Sequence, residues 1–169
     1  LAMFQRLEEF GGFVAVDNEA YAKTANKIEQ GGFPPVTYDG PAAFPLRVVI
    51  PNPTAMIFRY FGISEWSMVS FPFLLSVLTV LLVYVSTNFF FGRKAALIGA
   101  AIWAILPLDT FYATILVPDL PSAFFASLAV IVILLLANSH VRSRPARLIG
   151  GLAAGPLFGL SWLCKESVV

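Results

Sequence analysis

Charged residues are scarce in this sequence. Only 12% of its 169 residues are Asp, Glu, Lys or Arg, and 58% are hydrophobic, whereas soluble domains carry about 25% charged residues. A soluble body must cover itself with polar surface, and this chain has too few polar side chains to do so. The composition therefore excludes an ordinary soluble domain and leaves the lipid bilayer as the solvent of this chain.

Cysteine and several well-known site patterns are also missing or nearly so. A single cysteine, Cys164, excludes an internal disulfide. The net charge is +1 and the basic residues are scattered, so no nucleic-acid partner is indicated. The chain has no Walker loop, dinucleotide fingerprint, zinc-ligand spacing or Ser-His-Asp order. The lone His140 has no second candidate ligand close in sequence. We therefore predict no cofactor; a divalent metal is possible but not indicated.

Long apolar runs dominate the chain after its first 65 residues. A membrane-spanning helix needs about 20 residues, and four runs approach or reach that length: 67–91, 95–116, 120–138 and 148–164. The second run spans only if it includes Pro107, which membrane helices tolerate when neighbours satisfy the freed carbonyl. The fourth run is at the short limit. We predict an all-helical integral membrane protein with about four spans in residues 66–169.

The first segment, residues 1–65, mixes charged residues with glycine and proline. Weak amphipathic patterns over 18–30 and 55–61 predict two short helices, and such helices beside spanning helices commonly lie in the membrane interface. We expect this segment to form a first loop outside the bundle.

The ionisable residues sort by side when the four spans are followed in order. Five basic residues fall in the two short loops of one side: Arg93, Lys94, Arg142, Arg144 and Arg147. All ten acids fall on the other side: Glu8, Glu9, Asp17, Glu19, Glu29, Asp39, Glu65, Asp109, Asp119 and Glu166. Because short basic loops stay in the cytoplasm, this distribution predicts that the first segment lies outside it.

Two acids at the start of the first predicted helix have two possible roles. Asp17 and Glu19 follow an apolar stretch, and acids there can cap or electrostatically stabilise the positive end of a helix. A carboxylate at the membrane edge can equally act as a general base, since a lowered water content raises its pKa. The two roles are compatible.

Asp119 and Lys165 lie at the outer ends of predicted spans, and each also has two interpretations. Asp119 directly precedes an apolar run, so it is either a helix cap or a functional acid facing protein or water. Lys165 follows the fourth run, so it either snorkels to the headgroups or holds a phosphate at the membrane surface.

Several short motifs together resemble the start of a membrane glycosyltransferase of the GT-C superfamily. In chain order they are Val16-Asp17-Asn18-Glu19-Ala20-Tyr21, Phe61-Gly62-Ile63-Ser64-Glu65-Trp66, Phe91-Gly92-Arg93-Lys94-Ala95-Ala96, Pro118-Asp119-Leu120-Pro121 and Leu163-Cys164-Lys165-Glu166. The most similar members are bacterial enzymes of the protein O-mannosyltransferase-like and lipid A aminoarabinose-transferase-like kinds. The resemblance covers nearly all of this chain but about the N-terminal third of such an enzyme. Because the chain also starts at Leu1 and stops after an apolar run, we expect a fragment that is inactive alone.

This resemblance implies a reaction and a set of roles. Members transfer a hexose or pentose from a polyprenyl phosphate to an acceptor outside the cytoplasm, which here implies the plasma membrane of a bacterial-type cell envelope. It implies that Asp17 is the general base, with Glu19 as the alternative, that Asp119 is the second acid of the outer cavity, and that Lys165 lies near the donor phosphate. The acceptor, a protein, lipid or glycan, is left open.

Two other functions are compatible with a polytopic membrane chain. A transporter fragment is one, although transporter sites usually lie at the midplane and the acids here are predicted at one mouth. A non-catalytic assembly subunit is the other, and nothing in the sequence excludes it.

Overall fold

The computed structural model describes residues 6–7, 10–11, 16–31, 47–138 and 144–165. Within these ranges the chain forms seven helices and no strand, which confirms the predicted all-helical class. The helices are α1 (Val16–Glu29), α2 (Pro51–Phe61), α3 (Glu65–Phe91), α4 (Arg93–Ala104), α5 (Pro107–Ala113), α6 (Asp119–Asn138) and α7 (Arg144–Cys164). Several residues used above lie outside the described ranges: Glu8, Glu9, Asp39, His140, Arg142 and Glu166.

Helices α3 and α6 are long and apolar enough to cross a membrane. Ser64 is the N-cap of α3: its side-chain oxygen accepts a hydrogen bond from the Ser67 N–H at 3.1 Å. Gly92 follows its last residue with φ 82°, a left-handed conformation that favours glycine, and turns the chain directly into α4. The first and third predicted spans are therefore single helices.

The second predicted span is broken into α4 and α5, whose axes are bent by 58°. Pro107 has no N–H to donate to the carbonyl of Trp103, and the Leu106 N–H bonds that carbonyl instead, at 3.1 Å. The helix thus ends in a tight turn and restarts at Pro107 in a new direction. The described residues contain two spans, or three if the bent pair crosses as one.

The fourth predicted span corresponds to α7, whose apolar part, Leu148–Cys164, is shorter than the two clear spans. The expected count of four spans is therefore not established by helix length and composition, and the fourth remains a prediction.

Two clusters of buried side chains hold the helices together. The first, which we call the mouth cluster, joins α1 and α2 to the beginning of α3, the α5–α6 connection and the end of α7; its members are Tyr21, Ala25, Ile50, Ala55, Phe58, Met68, Val69, Leu116 and Cys164. The second joins α3, α5 and α6 through Leu75, Ala113, Leu120 and Phe124. The two predicted short helices, observed as α1 and α2, therefore pack where α3 and α6 begin.

Helix α7 packs closely on α6 through part of its glycine-rich sequence. A Cβ atom added to Gly150 would lie 1.9 Å from Cδ1 of Leu136 on α6, whereas a Cβ on Gly151 would meet nothing within 4 Å. Ala154, one turn after Gly150, is also buried. Close approach therefore uses Gly150 and Ala154, and Gly151 and Gly155 face outward.

Replacing Gly150 by Leu is expected to destabilise the α6–α7 pair. The larger side chain would overpack the contact with Leu136, at a cost of about 1–3 kcal/mol in the free energy of unfolding. The matched control Gly151→Leu adds the same atoms on the open face and should change it by less than about 0.5 kcal/mol. Unfolding in detergent micelles measures both variants, and equal effects would contradict the assigned contact.

Candidate functional site

The structure brings together two of the predicted site residues, Asp119 and Lys165, which are 46 positions apart in sequence. The Lys165 ammonium donates a hydrogen bond to Oδ1 of Asp119 at 2.5 Å. Asp119 is the first residue of α6, and Lys165 directly follows α7. The pair therefore joins the two helix ends next to the mouth cluster, which includes Leu116 and Cys164.

A reciprocal pair of serines fixes these two helix ends relative to each other. The Ser161 hydroxyl donates to the carbonyl of Ser122 at 2.9 Å, and the Ser122 hydroxyl donates to the carbonyl of Ser161 at 3.2 Å. Both serines are buried, about one helical turn inside Asp119 and Lys165. Hydrogen bonds between helices in an apolar setting leave few alternative partners, so the charged pair has a defined geometry.

The Asp119–Lys165 pair is only partly buried. The side chain of Lys165 is 34% exposed and that of Asp119 is 41% exposed. Both groups keep access to the surroundings, and the ammonium can leave Asp119 for another anion without a large desolvation cost.

An apolar cavity of about 540 Å³ begins beside Asp119 and lies between α3, the bent pair α4–α5 and α6. Its wall on α6 extends from Asp119 to Ile131, a rise of about 18 Å along the helix. Most lining side chains are apolar, and the polar ones include Asp109, Tyr112 and Trp103. The indole nitrogen of Trp103 is buried and has no hydrogen-bond partner among the described residues. The cavity is thus mostly apolar, with the carboxylate of Asp119 at one end.

A second carboxylate at this cavity, Asp109, was not predicted as a site residue. It is buried and forms an ion pair with Arg6, which is fully buried. From the sequence, Asp109 was assigned only to the acids of one side, and Arg6 was given no role. For Asp109 the signal was its position inside a predicted span, two residues after Pro107, because ionisable groups at that depth are usually functional or paired. Arg6 carried no such signal.

The other predicted acids, Asp17 and Glu19, lie in the first turn of α1, where the helix dipole favours negative charge. Both are exposed, and Glu19 forms an ion pair with Lys23 one turn later. The opposite face of α1, with Tyr21 and Ala25, packs in the mouth cluster. Asp17 and Glu19 therefore lie on a helix that shares a core with the ends bearing Asp119 and Lys165.

No group of three His, Cys, Asp or Glu side chains that could hold a metal ion occurs in the part of the chain that the structure describes. That no cofactor is needed stays a prediction, and the metal requirement stays open.

The bundle of apolar helices defines an integral membrane protein, and the carboxylate of its Asp119–Lys165 pair lines a mostly apolar cavity. A family model, that of the dolichyl-phosphate-mannose-protein mannosyltransferases, matches residues 48–169. The chain belongs to this family, and the resemblance to GT-C membrane glycosyltransferases is confirmed. The matched range includes Asp119 and Lys165 and begins after Asp17 and Glu19. No curated protein and no solved structure matches the chain.

Neutralising the two cavity carboxylates should have unequal effects on stability. Asp119→Asn breaks a partly exposed ion pair and should change the free energy of unfolding by at most about 1 kcal/mol. Asp109→Asn removes the charge that compensates the buried Arg6 and should cost about 3–5 kcal/mol. Unfolding of both variants in detergent micelles measures this contrast; equal losses would mean that the two pairs are equally desolvated.

Proposed function

We propose that this chain is part of a glycosyltransferase that moves a sugar from a polyprenyl-phosphate donor to an acceptor outside the cytoplasm. The observation that carries the proposal is the Lys165–Asp119 pair, whose carboxylate lines one end of a mostly apolar cavity. A polyprenyl-phosphate sugar has the complementary distribution, an apolar chain with a charged head. Membership of a mannosyltransferase family supports sugar transfer as the reaction.

In this proposal Lys165 stabilises the departing lipid phosphate. Breaking the bond between the sugar and the phosphate oxygen leaves negative charge on that oxygen, and a cation placed there lowers the barrier. Lysine suits this role because its ammonium is a compact point charge on a flexible stem. Asp119 holds the ammonium at the cavity mouth until the phosphate replaces it as the partner.

The proposed general base is Asp17, with Glu19 as the alternative. The base removes the proton of the acceptor hydroxyl as its oxygen attacks the sugar carbon. Two observations favour Asp17: its carboxylate is exposed on α1, and the carboxylate of Glu19 is already engaged in an ion pair with Lys23. No metal or cofactor enters this scheme.

The proposed topology follows the charge distribution of the sequence. Residues 1–65, apart from the buried Arg6, form an outer segment whose short helices lie in the interface, and residues 66–169 form the spanning bundle, both within one larger glycosyltransferase domain. The bundle crosses four times, with α4–α5 as one broken span and α7 as the last. In a bacterial-type plasma membrane the site then faces outside the cytoplasm, where the acceptor is a protein, a lipid or a glycan.

Transfer from a radiolabelled polyprenyl-phosphate sugar pool tests the chemistry, in membranes that contain the complete parent protein. Asp17→Asn and Lys165→Met should each lower the rate by about 100-fold or more, because general-base and charge-stabilising groups contribute factors of this size. Their matched controls, Glu29→Gln and Lys27→Met, lie later on α1 and should transfer normally.

Three other outcomes of this assay are informative. Normal transfer by Asp17→Asn together with loss in Glu19→Gln would make Glu19 the base. Normal transfer by Lys165→Met would contradict the proposed contact between Lys165 and the lipid phosphate. No transfer by the parent, across several donor pools, would contradict the proposed function and favour a transporter or an assembly subunit.

The topology is tested by single cysteines labelled in intact cells with a membrane-impermeant maleimide. Asn52→Cys at the start of α2 and Lys94→Cys at the start of α4 are both exposed positions. We expect Asn52→Cys to react in intact cells and Lys94→Cys to react only after the cells are opened. The reverse pattern would invert the proposed orientation.

A further inference from the structure

The buried side chain of Arg6 bonds to three different helices. Its Nη2 contacts the carboxylate of Asp109 on α5, its Nε donates to the Ser76 hydroxyl on α3 at 2.5 Å, and its Nη1 donates to the carbonyl of Ala104 on α4 at 3.1 Å. The Ser76 hydroxyl in turn donates to Asp109 at 2.5 Å. Each polar group of this network thus has a partner, as a buried network requires.

Two of these bonds lie on opposite sides of the break between α4 and α5. Ala104 is the last residue of α4, so its carbonyl has no N–H partner within that helix. Asp109 is in the first turn of α5. One rigid guanidinium therefore joins the end of one half of the bent pair to the beginning of the other, and the bond to Ser76 fixes both to α3.

Two other described residues of the N-terminal segment, Phe10 and Gly11, also contact the bundle. The backbone N–H of Gly11 donates to the Thr114 hydroxyl at 3.0 Å, and the sequence separation, 103 residues, equals that between Arg6 and Asp109. Phe10 stacks on Trp66 with ring centroids 4.1 Å apart. Arg6, Phe10 and Gly11 are thus each bonded to the bundle or packed on it.

The network lies deep in the bundle. Ser76 is eleven residues after Glu65, the first residue of α3, a rise of about 16 Å, which is about half of a hydrocarbon core of roughly 30 Å. At that depth an arginine is retained only if it is fully paired. The partners of Arg6 include Ala104 before the break and Asp109 after it, so the broken helix and the buried arginine stabilise each other.

We propose that Arg6 is a positioning residue, whose guanidinium fixes the bend between α4 and α5 and thereby the shape of the cavity beside Asp119. Both sides of the break line that cavity, Trp103 and Leu106 before it and Asp109 and Tyr112 after it. A change in the bend moves these walls relative to α6. The use of the cavity by a lipid-linked sugar rests on the proposed function, whereas the role of Arg6 in the bend does not.

The bend is measured by the distance between two nitroxide labels, at Lys94→Cys on α4 and Phe111→Cys on α5, by pulsed electron paramagnetic resonance. Both sites are exposed and outside the cavity lining, and the native Cys164 is fully buried. Phe111 is four residues beyond Pro107, about 6 Å along α5, so loss of the 58° bend would move it by about 6 Å.

The decisive variant is the double substitution Arg6→Met with Asp109→Leu. Arg6→Met alone leaves a buried unpaired carboxylate and is expected to reduce the amount of folded protein. The double variant removes both charges, so it should recover the amount of folded protein, and yet its label distance should broaden or shift by several Å.

Arg6→Lys keeps the charge, so it should broaden the label distance less than the double variant does. It has no planar fork to bond both sides of the break, so some broadening should remain. The control is Arg59→Met, at an exposed arginine of α2.

The outcomes separate this proposal from the proposed function. An unchanged distance in the double variant would overturn the role of Arg6, even if the parent transfers sugar. A changed distance in a protein that transfers no sugar would support the role of Arg6 and contradict the proposed function. If both proposals hold, the double variant should have a raised KM for the lipid-linked donor, whereas Arg59→Met leaves KM unchanged.

Discussion

The ion pair between Arg6 and Asp109 is the interaction on which the inner half of this structure depends. Water is not available in the interior of a membrane bundle. When a helix breaks there, its freed carbonyls and any buried charges must be satisfied by other groups of the protein. Pro107 creates the break by removing a donor, and the guanidinium of Arg6 supplies donors on both sides of it. A carboxylate, a hydroxyl and a free carbonyl are thereby all paired in one place.

A contrast between two ion pairs organises the cavity. At the inner pair, Arg6 and Asp109 are buried and their bonds are structural. At the outer pair, Lys165 and Asp119 are partly exposed, so the ammonium can exchange one anion for another. In the proposed function the apolar lining accommodates the lipid chain and the Lys165 ammonium binds the phosphate. The family to which the chain belongs makes sugar transfer the consistent interpretation of this arrangement.

The mouth cluster connects this cavity to the first segment of the chain. Tyr21 and Ala25 of α1 pack with Leu116 and Cys164, which are close in sequence to Asp119 and Lys165. Asp17 and Glu19, on the exposed side of the same helix, are thus attached to the same outer core. The reciprocal serines Ser122 and Ser161 hold the ends of α6 and α7 beneath it.

Composition and hydropathy alone determined that the chain is helical and membrane-embedded, because a run without charges must satisfy its backbone as a helix in lipid. They also located α3 and α6 and the interruption at Pro107, and the motif order indicated the family. The contact of Lys165 with Asp119, the choice of Gly150 over Gly151 at the α6–α7 contact, and the pairing of Arg6 with Asp109 were decided only by the tertiary structure. These contacts join residues from 14 to 103 positions apart or select one face of a helix, and no local pattern encodes which distant side chain will lie opposite.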